Sequence, residues 1–455
     1  MHMRRTILIY TILAVLFTAC SDNYYCGLTV IPPCSVSDMV NADVRAGIVN
    51  TGNVRKNYKV SICMDGEVIH TEKISLNAGE SGTVKKVLET KGRAGEHKIS
   101  LRINSKEKDS ENLEIVHSET RSLHLIEGAW AGLYHWSETE GKHWNRDIRN
   151  LTDAQWGEMV SSMHKLGMQV VVIQDVMRNS RDNYVGRHNQ TADSFNGQPY
   201  YPSSLYPDRF SLTAVDPVDA ILTAADSLDM CVFPGIGLFA WFDFSPESLE
   251  WHKRVTDEIW SRYSHHKSLY GFYISEESAG DLYNLATEPE DKLERQKEIV
   301  AFFRQMRKHV DRFAPDKPLM LATNSMKVPE GAMFYPELLV NLDILCPFGF
   351  ARMPEGDLSG KEAADMLQGF CDAAGSHLWF DLEAFLFNPD GSLYARPMEQ
   401  IEGDLNLLDN FEKILCYQFP GVFNDPDSSF RVGEERTLQL FNDYLNYYNT
   451  TKSVK

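Results

Sequence analysis

Positive charge is scarce in this 455-residue chain: 45 lysines and arginines stand against 64 aspartates and glutamates, a net charge of −19. That balance excludes a nucleic-acid partner, because phosphate binding needs a concentrated basic surface. The eight cysteines include no Cys-x-x-Cys pair and no Cys/His cluster, so no metal site is expected. A nucleotide-binding glycine turn is lacking too. "GIGLFA" (235–240) matches GxGxxA in letters, but "WFDF" intervenes before a helix can open at Ser245-Pro246. The fingerprint needs its helix to begin inside the turn. No cofactor is expected, and nothing implies a protein partner. Apolar material is not short: 43% hydrophobic residues with 24% charged is an ordinary globular composition. The length suffices for more than one domain and a large core.

The chain opens with "MHMRRTILIYTILAVLFTAC". Arg4 and Arg5 precede an apolar stretch from Ile7 to Phe17, too short and wrongly flanked for a membrane span, and the whole reads as a secretory signal. Thr18-Ala19-Cys20 resembles a bacterial lipoprotein processing site, where cleavage precedes a cysteine whose sulfur carries the lipid. Phe17 stands where such sites usually have Leu. The resemblance implies a signal peptide over 1–19, a lipid anchor on Cys20, and a place in the cell envelope on the periplasmic or surface face of the outer membrane. Cys26 and Cys34 lie close enough in sequence to pair in an oxidising compartment. The other five cysteines read as small buried hydrophobes.

Two patterns follow. Over 20–120, runs such as "ADVRAGIVNTGN", "YKVSICMDGEVIHTEKISL" and "HKISLRIN" alternate polar and apolar residues, with hairpin signals at Asp65-Gly66 and Asn50-Thr51-Gly52-Asn53. They predict a small antiparallel, immunoglobulin-like β-sandwich. A polar stretch, "NSKEKDSENLE", then leads into 121–455, where strand and helix patterns repeat. Candidate strands one to eight are "GAWAGLY", "QVVVIQDV", "CVFPGIGLF", "LYGFYIS", "LMLATNS", "ILCPFGF", "LWFDLE" and "ILCYQFP". Amphipathic helices lie between them, several opened by caps such as Thr152 and Ser245. Eight such units predict an α/β protein with a (β/α)8 barrel behind the sandwich.

In a barrel, successive side chains alternate between the interior and the helix layer. Phe272 and Ile274 are the bulky pair of strand four, which assigns Gly271, Tyr273, Ser275 and Glu277 to the interior and Glu276 to the helix side or loop. In strand seven, Leu378, Phe380 and Leu382 suit the helix layer, leaving Trp379, Asp381 and Glu383 inside. Two glutamates are thus expected at the carboxyl ends of strands four and seven, the rim on which barrel enzymes build their sites. Around them the sequence supplies Tyr134, His135 and Trp136 after strand one, Trp241 and Phe242 after strand three, and Phe419 and Phe423 after strand eight. Asp175 and Asn324 end strands two and five and suit sugar hydroxyls, and Tyr417 in strand eight could orient a carboxylate. The loop 177–212, with Tyr200, Tyr201, Tyr206, Arg181 and Arg187, follows strand two on the same face.

"LYGFYISEES" is similar to the strand-four segment of the large barrel clan of retaining glycosidases, with Glu276-Glu277-Ser278 in place of Asn-Glu-Pro. "LWFDLEAF" is similar to their strand seven. The chain as a whole resembles the glycosidase-like barrel lipoproteins of gut Bacteroidetes, and the sandwich resembles accessory modules at the front of secreted carbohydrate-active proteins. The resemblance implies a glycoside hydrolase acting on an oligo- or polysaccharide, with Glu277 as acid/base, Glu383 as nucleophile and Asp381 in support. The Asn that would bind the sugar 2-hydroxyl is replaced by Glu276, which can act there only as an acceptor. The alternative is a surface glycan-binding lipoprotein whose barrel has lost catalysis.

Overall fold

The computed structural model describes residues 23–179 and 190–454. The signal-like segment 1–19, Cys20, Arg181 and Arg187 lie outside the described residues. No helix among the described residues is long and apolar enough to cross a membrane.

The alternating runs form two antiparallel-rich sheets packed face to face. Tyr25–Ile31, Ala42–Val49 and Ser81–Leu88 make a three-stranded sheet. The other sheet has five strands, in the order Cys34–Ser37, Lys106–Val116, Gly95–Ile103, Lys56–Met64 and Glu67–Leu76. Val44, Ala46 and Ile48 from one sheet and Val60, Ile62, Ile99 and Leu101 from the other are fully buried between them. Asp65 and Gly66 both take positive φ, 52° and 84°, as the tight hairpin requires. The polar stretch before the barrel is itself a strand. It pairs with Gly95–Ile103 through a turn at Asn104-Ser105, where both φ values are positive. Most of it is exposed, so its sequence lacks the apolar alternation that marks a half-buried strand.

The eight expected barrel strands are all present: Gly128–Ala131, Val170–Ile173, Cys231–Pro234, Phe272–Ser278, Leu319–Thr323, Ile344–Leu345, His377–Glu383 and Lys413–Tyr417. They pair in parallel in the order 3-2-1-8-7-6-5-4, and bridges Val232–Leu269 and Gly235–Tyr273 close strand three onto strand four. The predicted parity holds. Trp130, Val172, Phe233, Tyr273, Met320 and Trp379 fill the interior, whereas Phe272, Ile274, Leu378, Phe380 and Leu382 join the core beneath the helices. Inside, Trp130 meets Tyr273 and Phe233 meets Trp379 edge to face, at 5.8 and 5.9 Å between ring centroids. Thr152 caps Asp153–Lys165 with a reciprocal bond to Gln155, and Ser245 caps Pro246–Tyr263. Each such cap is worth about 1 kcal/mol.

The sandwich closes the amino-terminal end of the barrel. Ile31 is fully buried in the interior cluster with Trp130, Val170 and Leu415, and Tyr270 donates its hydroxyl to the Val30 carbonyl at 2.6 Å. Beside the plug, the buried Lys413 ammonium bonds Ser35, Glu127 and Gln169. Gly47 of the sandwich lies so close to Asp316 of the barrel that a Cβ there would come within 2.7 Å of the Asp316 backbone nitrogen. With one end plugged, the barrel can open only at the carboxyl ends of its strands.

Candidate active site

At that open end lies a cavity of ≈ 180 Å³ lined by residues from several strand ends, among them His135, Trp136, Trp241, Glu277, Asp381, Glu383 and Tyr417. Strand four reaches it through an irregularity. Ile274 pairs with Leu321 but Ser278 pairs with Thr323, so the strand carries extra residues between them. A bulge of this kind bends the strand and re-aims its side chains, and Glu276 and Glu277 fall within it.

Glu276 is fully buried. Its Oε1 accepts the backbone N–H groups of Phe239 and Ala240 at 2.6 and 3.1 Å. Burial, with Asp243 adding to it, pushes its carboxyl well above the usual range. Glu276 therefore faces the loop after strand three, the side that strand parity assigned to it, and not the cavity where a sugar-binding role would need it. What it fixes is the backbone that presents Trp241.

The neighbouring Glu277 does face the cavity. Trp241 donates its indole N–H to Glu277 Oε2 at 3.0 Å. Burial pushes the Glu277 carboxyl up to about 7, with Trp241 and Arg352 opposing and the charges of Glu140 and Glu383 reinforcing the rise. Glu383, at the end of strand seven, meets Arg352 in a two-pronged ion pair. Arg352 Nε lies 2.8 and 3.1 Å from the two carboxylate oxygens and Nη2 lies 2.7 Å from Oε1. Arg352 comes from a short 3-10 turn after strand six, Phe350–Arg352. Gly349, at φ 87°, supplies the left-handed bend that turns the chain into it. The guanidinium also lies over the Phe348 ring, 5.9 Å from its centroid. Asp381 is buried two residues before Glu383, and burial followed by the charges of Glu383 and Glu277 drives its carboxyl well up.

The aromatic wall is continuous. Trp136 lies 5.4 Å from Trp241, which stacks on Phe242 at 4.6 Å. His135 stacks on Trp136, and Tyr417 meets His135 and Phe385 edge-on. Asn145 clamps the backbone of His135, accepting its N–H and donating to its carbonyl. Burial drives the His135 imidazole down to about 3, so it is neutral. Its Nε2 lies 3.5 Å from Glu140 Oε2, and burial lifts the Glu140 carboxyl to about 7.

Other expected residues lie elsewhere. Asp175 is buried and ion-paired to Arg178 at 2.7 Å. The Asn324 side chain accepts the Met326 N–H and shapes the turn after strand five. Phe419 and Phe423 stack on each other in the core under the helices, and Tyr200 and Tyr201 are buried in the same core. Conversely, the cavity gains Glu140, Gln174, Phe348, Arg352, Phe385 and Phe387, none of which the sequence reading selected. Phe385 and Phe387 belong to a small hairpin, Phe385–Phe387 with Leu393–Ala395, directly after Glu383. Their only signal in the sequence is position: each follows a barrel strand on the catalytic side.

Fold and site together define a (β/α)8-barrel protein with two glutamates, at the ends of strands four and seven, facing one aromatic-walled cavity. The chain belongs to the family described as a domain of unknown function, DUF4434, whose profile matches residues 126–430. Among solved structures it is similar to a Bacteroides thetaiotaomicron protein provisionally assigned as an alpha-L-fucosidase. The TM-score is 0.51 at 18% identity, covering 71% of this chain and 93% of that one. A GH2 beta-galacturonidase from Eisenbergiella tayi, bound to galacturonate, aligns with TM-score 0.42 and 11% identity over 94% of this chain and 72% of its own. A beta-glucuronidase from Bacteroides uniformis aligns with TM-score 0.43 and 11% identity over 94% and 50%. At such identities the likeness is one of fold. No curated protein matches the sequence.

Proposed function

We propose that this protein is a glycoside hydrolase that cleaves an oligo- or polysaccharide with retention, using Glu277 as acid/base and Glu383 as nucleophile. The observation that carries the reading is the pairing of unlike carboxyl groups on one cavity. Glu277 is held up to about 7 by burial, so near neutral pH it carries a proton to donate. Glu383 is gripped by the Arg352 guanidinium through both carboxylate oxygens, which fixes its orientation at the rim. One acid protonates the glycosidic oxygen as the bond breaks while the other attacks the anomeric carbon. After the leaving group departs, Glu277, now ionised, takes a proton from the water that releases the sugar. Trp241 restrains the Glu277 carboxyl in both steps, and the tryptophan wall offers flat apolar faces to sugar C–H groups. The fold likeness to a protein provisionally assigned as a fucosidase supports the scaffold and not the substrate.

The Cys20 pattern supports anchoring in the cell envelope, where such a substrate would be met outside the cytoplasm.

One observation favours the second reading, a glycan-binding protein without catalysis: Glu383 is already occupied by Arg352, which must yield for attack at carbon. The deciding experiment incubates the wild type with a panel of plant, mucosal and host oligosaccharides and follows released sugar and its initial anomer by NMR. Hydrolysis with retained configuration, lost by about 100-fold or more in Glu277→Gln and Glu383→Gln, supports the enzyme. Glycan binding by all three proteins with no sugar released supports the binder.

A further inference from the structure

At the plugged end of the barrel, two thiols from different parts of the chain meet. Cys34 opens the edge strand of the five-stranded sandwich sheet, and Cys231 opens barrel strand three. Their sulfurs are 3.9 Å apart across 197 residues of chain. Both side chains are partly buried, and both line a crevice of ≈ 760 Å³ between sandwich and barrel, which gives a small oxidant access. The surroundings differentiate the two. The contact with the Cys231 sulfur and the charge of nearby Lys413 outweigh burial and hold the Cys34 thiol below its ordinary range, whereas the same contact and burial push Cys231 up. Cys34 is thus the better thiolate, and Cys231 the thiol that waits on it. Cys34, which by sequence could have paired with Cys26, instead has its sulfur against that of Cys231.

We propose that Cys34 and Cys231 are a disulfide-forming pair that staples the sandwich to the barrel. The oxidant is a disulfide, small or protein-borne. The Cys34 thiolate attacks one of its sulfurs and expels the other as a thiolate, giving a mixed disulfide. Cys231, losing its proton to that leaving thiolate or to water, attacks Cys34 Sγ and expels the second thiol. Two protein thiols are oxidised and one disulfide is reduced to two thiols. Closure brings the sulfurs from contact to the bonded distance of about 2.05 Å. The pairing is independent of the carbohydrate reading.

The full chain, treated with oxidised glutathione and then digested without reductant, is mapped by mass spectrometry after alkylation of remaining thiols. A peptide pair joined through Cys34 and Cys231, released by dithiothreitol, is the expected result, and the oxidised protein should unfold a few degrees above the reduced one. Cys34→Ser and Cys231→Ser should each abolish both effects. Alkylation of both cysteines after oxidation, or a Cys34 peptide joined to Cys26, overturns the proposal. The peptide mapping uses wild-type protein alone and stands even if a variant folds poorly.

Discussion

Trp241 Nε1 donates to Glu277 Oε2 at 3.0 Å, and the residue beside Glu277 holds the backbone that carries Trp241. Glu276 accepts the N–H groups of Phe239 and Ala240, so two adjacent acids on one strand have different tasks. One builds the loop, and the other receives what the loop presents. That division explains how an apolar buried strand tolerates two consecutive glutamates. Glu276 is buried with backbone donors, and Glu277 opens onto the cavity.

Removing the indole donor tests this relationship. Trp241 favours the ionised form of Glu277, so Trp241→Phe should shift the Glu277 titration upward. The basic limb of the pH–rate profile would move to higher pH, and kcat/KM would fall about tenfold or more through lost positioning. An unmoved basic limb would detach Trp241 from the acid.

The wild-type profile carries its own prediction. A general acid must be protonated, so kcat/KM should decline as pH rises through about 7, the value burial gives Glu277. Arg352 opposes that rise, so Arg352→Ala should push the decline to higher pH. Stopped assays across pH 4–9 measure both.

Stability should run against function at the same residue. Because folding raises the Glu277 carboxyl above its ordinary value, the folded state holds more protons than the unfolded one between about pH 4.5 and 7. Stability therefore falls as pH rises across that window. Glu277→Gln removes the penalty and should be more stable than wild type at pH 8, on the order of 1–3 kcal/mol, with no gain at pH 4. Thermal melts at the two pH values report it.

Glu276 predicts the opposite pattern. Its carboxyl is driven well up by burial, which favours the neutral form, and Glu276→Gln preserves shape and acceptor. That variant should cost less than about 1 kcal/mol, whereas Glu276→Ala, leaving two buried N–H groups unpaired, should cost about 2–4 kcal/mol. Equal losses in the two would show that Glu276 does not hold the loop.

The barrel was legible because parity along buried strands is a two-residue code. Phe272 and Ile274 against Tyr273, and Leu378 and Phe380 against Trp379, assign both faces without help from the rest of the fold. The code stops at the bulge after Ile274, and beyond it alternation alone could not say how Glu276 is used. Arg352 and Glu140 were not legible, since a charged residue in a βα loop looks the same facing water or a cavity. Asp175 misled for a related reason. It lies just past the end of strand two, but a partner three residues on, Arg178, claims it. The strand Lys106–Val116 was hidden because exposure on its long outer part removed the apolar signal that alternation needs.

The most direct test of the central claim is the anomer formed when Glu383 is replaced by alanine and azide is supplied with an activated glycoside of the sugar that the wild type releases. If Glu383 is the nucleophile, the variant alone should be nearly inactive. Azide should then restore turnover and yield a glycosyl azide of inverted configuration, as a small anion occupies the vacated position. A wild type that releases no sugar from any glycan it binds, or a Glu383→Ala variant that hydrolyses at the wild-type rate, would contradict the two-glutamate account.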